Sequence, residues 1–170
     1  MKTIKARRFV AAALVTMLAP VVLAGNSYIA NDWGVIDKFG TGTIILDAEG
    51  RPNKRGFLTK IDFTASGKKR VFFTTVDLGS DACRVDSFKD QFLITVNGQV
   101  IKAFGWCKKA PTDTYHHVQF TAATDEGGKF IIDAFLNSPK EVAVSYFGEN
   151  FGVSSVGFSK AWNSVGGDAL

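Results

Sequence analysis

Asp90-Gln-Phe-Leu-Ile-Thr-Val-Asn97-Gly98-Gln-Val-Ile-Lys-Ala-Phe-Gly-Trp106 is the stretch whose reading decides the fold. Two apolar-rich runs flank Asn97-Gly98, and an Asn-Gly pair supplies the positive φ angles of a type I′ hairpin turn. In that register, residues whose numbers sum to 195 face each other: Phe92 with Ala103, Ile94 with Ile101, Val96 with Gln99. These pairs share one largely apolar face, as an antiparallel hairpin laid over a core requires. Position 88 falls opposite Cys107 in the same register.

Working outward toward the N-terminus, residues 71–78 are β-branched and aromatic and predict a strand. Residues 57–65 alternate, with Phe57, Thr59, Ile61, Phe63 and Ala65 on one side and Leu58, Lys60, Asp62 and Thr64 on the other. The turn at 66–69 allows these two strands to pair as a hairpin around Gly67. Residues 48–56 hold Gly50, Pro52, Asn53 and Gly56 and predict a loop, preceded by a short strand at 43–47. Residues 25–32 are polar and suit a loose or edge segment.

Toward the C-terminus, 110–114 is a loop, 116–123 a strand, 124–128 a turn, 129–136 a strand rich in Phe and Ile, and 141–147 a further alternating strand. Residues 148–152 predict a turn. The tail changes period. Phe158, Ala161, Trp162 and Val165 follow helical spacing, Ser154 or Ser155 can cap the start, and Gly166-Gly167 can end it. No long helix is available to carry the chain between parallel strands. The expected fold is an all-β antiparallel sandwich or small barrel with one short C-terminal helix, forming a single domain over residues 25–170.

Residues 1–24 read as a secretory signal peptide. Lys2, Lys5, Arg7 and Arg8 form a positive head, an apolar run follows, and Val22-Leu23-Ala24 suits cleavage before Gly25. The apolar run is short of the ~20 residues of a membrane span, so after cleavage the protein is not expected to be an integral membrane protein. An uncleaved anchor is the alternative, and Arg7-Arg8 leaves twin-arginine export open beside the general route. The leader also settles the charge. The whole chain has 20 Lys plus Arg against 16 Asp plus Glu, but four of those cations are in the leader. The remainder is balanced, which removes any global pull toward nucleic acid.

Cys83 and Cys107 are the only cysteines, and both follow the leader. In an oxidising compartment two such thiols pair, so a Cys83–Cys107 disulfide is expected at the open end of the hairpin. Closing a loop of about 25 residues is worth roughly 3 kcal/mol in the chain-entropy model. A metal or redox pair is the rival, and it lacks a CxxC.

Candidate chemistry is sparse. His116-His117 are strand neighbours that point to opposite faces, which does not suit a shared ion. No GxSxG, HExxH or P-loop occurs, and no cofactor is expected. Three basic clusters sit at turns: Arg51, Lys54 and Arg55; Lys68, Lys69 and Arg70; Lys108 and Lys109. Solvated edges explain such clusters, and a binding role needs two of them to converge on one rim. Most Phe residues occupy core-facing positions, whereas Trp33, Trp106 and Tyr115 lie near loops or strand ends, where they could line a pocket or interface.

The strand around Lys69-Arg-Val-Phe-Phe, the cysteine-bearing centre and the ending Phe151-Gly-Val-Ser-Ser-Val-Gly-Phe-Ser-Lys-Ala-Trp162 give the chain a plan that resembles the invasion-associated locus B family of exported bacterial proteins. That family usually carries an early Trp-x-x-x-Cys, whereas Trp33 has no cysteine after it, and the central cysteine spacing also differs. The resemblance implies a β-sandwich and a periplasmic or surface-associated, non-enzymatic protein. It carries over no functional residue.

The sequence therefore predicts an exported bacterial binding protein, of accessory, inhibitor or immunity type, whose partner is a protein or envelope component. The residues expected to make the contact are Trp106, Lys108, Lys109 and Tyr115, the rim beyond the disulfide. A ligand carrier or hydrolase with a pocket inside the β domain, and a structural subunit of an envelope assembly, are the alternatives.

Overall fold

A computed structural model describes residues 28–76, 88–108 and 117–166. The leader, Cys83, Lys109, Tyr115 and His116 lie outside the described residues. The elements are β1 (Tyr28–Ala30), β2 (Gly40–Leu46), β3 (Pro52–Phe63), β4 (Lys69–Val76), β5 (Phe88–Val96), β6 (Gln99–Lys108), β7 (His117–Ala122), α1 (Asp125–Asn137), β8 (Glu141–Tyr146), β9 (Glu149–Ser154) and α2 (Phe158–Ser164).

Among the described residues the nine strands join one antiparallel sheet in the order β1-β2-β3-β4-β7-β6-β5-β8-β9. The sheet curls until its two edges meet, giving a nearly closed barrel, as the all-β reading anticipates. Side chains rather than a strand ladder bridge the seam. The Thr43 hydroxyl donates to the Gly152 carbonyl at 2.7 Å, the Tyr28 hydroxyl donates to Glu141 at 3.0 Å, and Arg55 pairs with Glu149 at 2.5 Å.

The hairpin register holds through Phe92–Ala103, Ile94–Ile101 and Val96–Gln99, with Asn97 at φ 46° and Gly98 at φ 81°. Beyond Phe92 a bulge slips the ladder by one residue, so Phe88 lies opposite Trp106 rather than Cys107. An extra residue on one strand does this without a signature of its own in the local sequence.

Four other expectations are corrected. Residues 124–128 and 129–136 are not a turn and a strand but the helix α1. Thr124 caps it by accepting from the Gly127 N–H, Asp125 and Glu126 fill the first turn, and Gly128, Ile131 and Phe135 form its buried stripe. A Cβ at Gly128 would stand 2.6 Å from the Arg70 guanidinium, so a larger residue there would push that side chain off its place against α1. The supposed loop at 48–56 is shorter, since β3 begins at Pro52. Residues 148–152 mostly belong to β9, and the turn before it is the pair Phe147-Gly148, both with positive φ. Finally, α2 starts from Gly157 at φ 85° with no side-chain cap: the helix begins at Phe158, beyond both serines, whose hydroxyls donate to Asp32 and to the Ser138 carbonyl.

The barrel interior is filled by stacked rings. Phe57 lies on Phe151 at 3.5 Å, Phe73 on Phe120 at 5.3 Å, and Phe120 on Tyr146 at 4.8 Å, with Phe92 edge-on to both Phe120 and Tyr146. Phe73 and Phe120 are wholly buried. The two helices contribute a second aromatic cluster. Phe135 and Phe158 stack at 4.8 Å, and Trp33 packs edge-on to both.

Candidate functional site

Alternation along β4 and β6 creates the site. Val71, Phe73 and Thr75 point inward, which turns Arg70, Phe72 and Thr74 outward; Ala103, Gly105 and Cys107 point inward, which turns Phe104, Trp106 and Lys108 outward. Between these strands lies β7, whose outward residues are Gln119 and Thr121. Rings from the strands on either side of β7 approach each other here. Phe72 meets Trp106 at 5.9 Å and 69°, and Phe104 meets Trp106 at 6.4 Å and 62°.

The result is a groove of ≈ 970 Å³ on the outer face, running from Asp62 on β3 to Gln91 on β5. Its floor is Phe72, Phe104 and Trp106, and Arg70, Asp62 and Lys108 stand at its rim. Phe72 is only 3% exposed, although it lies outside the barrel core. The Lys108 ammonium sits over the Trp106 ring, 5.3 Å from its centre.

Most polar groups of the groove are already engaged. Arg70 donates to the Ala122 and Thr124 carbonyls at 3.2 and 2.7 Å and pairs with Asp125, which ties α1 to the sheet. The Thr121 hydroxyl donates to the Val71 carbonyl at 2.7 Å. Lys60 bridges to Asp62 at 2.6 Å. Burial pushes the Asp62 carboxyl up, but the Lys60 hydrogen bond, the Phe63 N–H and the Lys60 and Lys108 charges outweigh it and hold the group below its ordinary range.

Of the residues expected to make the contact, Trp106 and Lys108 come together on one wall, while Lys109 and Tyr115 lie outside the described residues. Trp33 is corrected. It is a core residue, 7% exposed, whose indole N–H donates to the Ser154 carbonyl at 2.6 Å. One residue from each of two basic clusters, Arg70 and Lys108, lines the groove, and Arg70 is committed to the start of α1. Lys68 instead pairs with Asp125, Lys69 caps α2 by donating to the Trp162 carbonyl at 2.8 Å, and Arg51 pairs with Asp47 and Glu49. Phe72, Phe104 and the Gln91 and Gln119 amides were not anticipated. The signal for Phe104 was present, since the 195 register that buries Ala103 and Ile101 also places Phe104 and Trp106 together on the opposite face.

Cys107 is buried on the inner face of β6, and the expected disulfide turns on Cys83, outside the described residues. Among the described residues, no group of three or more His, Cys, Asp and Glu could hold a metal ion, and no helix is long and apolar enough to cross a membrane. His117 Nδ1 lies 3.0 Å from the Thr75 carbonyl. Comparison with protein-family models, curated proteins and solved structures finds no match.

Proposed function

We propose that this chain is an exported, non-enzymatic binding protein that works in the periplasm or at the cell surface and engages a protein or envelope component through the Trp106 groove. One observation carries the reading: Trp106 and Lys108 wall a groove of ≈ 970 Å³ on the outer face, of the size that holds ligands. The filled interior leaves that outer face as the place for contact. The leader pattern at residues 1–24 supports export, and export supports pairing of Cys83 with Cys107. Intact mass before and after reduction and alkylation checks the pairing; two thiols alkylated without reduction would refute it.

The contact is tested by immobilising the mature protein and its Trp106→Ala variant against envelope extract, identifying what is retained and measuring it again with the purified component. The variant should hold less than about a tenth of the wild-type amount while its thermal midpoint moves by less than about 5 °C. Equal retention would overturn the reading. So would a midpoint lowered by more than about 10 °C, which would make Trp106 a structural residue.

A further inference from the structure

The chemistry of the groove narrows what it takes, given the reading that the groove is the contact site. A glycan needs several uncommitted donors and acceptors, and here the Thr121 hydroxyl proton, the Arg70 guanidinium and the Asp62 carboxylate are engaged by Val71, by the start of α1 and by Lys60, which leaves chiefly the Gln91 amide and Lys108. Gln119 likewise donates to the Thr74 hydroxyl at 3.3 Å. A flat aromatic ligand gains most between parallel walls, whereas the three rings of the floor meet at 62° and 69°. Rings set at steep angles form a corner, which suits a cylindrical hydrocarbon chain. The groove crosses from β3 to β5 over four interstrand steps, a span of about 19 Å, comparable to a long acyl chain.

Charge gives the chain a direction. Of the residues lining the groove, Arg70 and Lys108 are cationic and Asp62 is anionic, an excess of one positive charge. Among the described residues Lys60, Lys68 and Arg70 have direct carboxylate partners. Lys108 instead rests over the Trp106 ring, with its charge only felt by Asp62. We infer that the groove binds an acyl amphiphile with one anionic group, its chain lying along Phe72, Phe104 and Trp106 and its anion meeting the Lys108 ammonium.

The test uses mature protein, calorimetric titration and three probes: dodecanoate and dodecyltrimethylammonium below their micellar concentrations, and dodecanol within its aqueous solubility. Dodecanoate should bind at one site at least tenfold more tightly than dodecyltrimethylammonium. Lys108→Gln should cost dodecanoate about tenfold and leave dodecanol unchanged. Trp106→Ala should weaken both dodecanoate and dodecanol, and Val100→Ser, on the same face of β6 but outside the groove, should change neither. Absence of dodecanoate binding, equal affinity for the cationic probe, or indifference to Lys108→Gln would each overturn the inference. The contact reading fails separately: it falls if Trp106→Ala retains the envelope component normally, whatever the amphiphiles do.

Discussion

The inner and outer faces of the same sheet use the same residue types to opposite ends. Inside, Phe73, Phe120 and Tyr146 lie nearly parallel in a stack. Outside, Phe72, Phe104 and Trp106 meet at steep angles, with charged groups around them. One residue of offset separates Phe73 from Phe72. Strand alternation, rather than aromatic content, decides whether a ring is packing or is held for contact.

The contrast is sharpest on the inner side. Phe120 is wholly buried, stacks on both Phe73 and Tyr146, and meets the edge of Phe92. Phe120→Ala should cost about 3–5 kcal/mol in denaturant unfolding, from lost burial plus the cavity that remains. A loss below about 1 kcal/mol would mean that the interior repacks freely, and the distinction between the faces would collapse.

The next effect reads the same interior through pH. Burial pushes the Tyr146 phenol up to about 12 from an unfolded value near 10. The folded state therefore keeps a proton that the unfolded chain has released. Stability from this group is complete below pH 10 and drains away between pH 10 and 12, by up to roughly 2 kcal/mol. Tyr28, raised to about 12 by burial and by its Glu141 hydrogen bond, adds to the same trend at the seam. Urea midpoints from pH 9 to 12 should fall in the wild type and fall less in Tyr146→Phe; parallel slopes would refute the assignment.

What the sequence made legible follows the same physics. The strand pairing around Asn97-Gly98 could be read because a type I′ turn fixes register and alternation then fixes every side. The slip below Phe92 could not, since a bulge is set by the whole sheet's curvature. Residues 129–136 misled because Phe130, Ile131, Ile132 and Phe135 favour strands by composition, and Gly127-Gly128 imitates a turn. The Thr124 cap and the acidic pair behind it were the counter-signal. Gly128 has a tertiary cause, the Arg70 guanidinium, which no local window contains. Of the candidate site, Trp106 and Lys108 were found by their place at a strand end, and Phe72 was missed because its neighbours Val71 and Phe73 made the run look uniformly buried.

The smallest expected effect marks the boundary of the groove. Trp106 is half-buried, so Trp106→Ala should cost about 1 kcal/mol, well short of the Phe120 loss, while abolishing contact. Leu93 is 61% exposed on the outer face of β5, opposite Lys102, and does not line the groove. Leu93→Ser removes an apolar group that is already mostly in water, so its stability should change by no more than about 0.5 kcal/mol. Retention of the envelope component should be untouched as well. The comparison matters because Leu93 and Trp106 share a face and an apolar surface but differ in enclosure. Reduced retention by Leu93→Ser would extend the contact across β5 and make the whole outer face, rather than the corner of rings, the working surface.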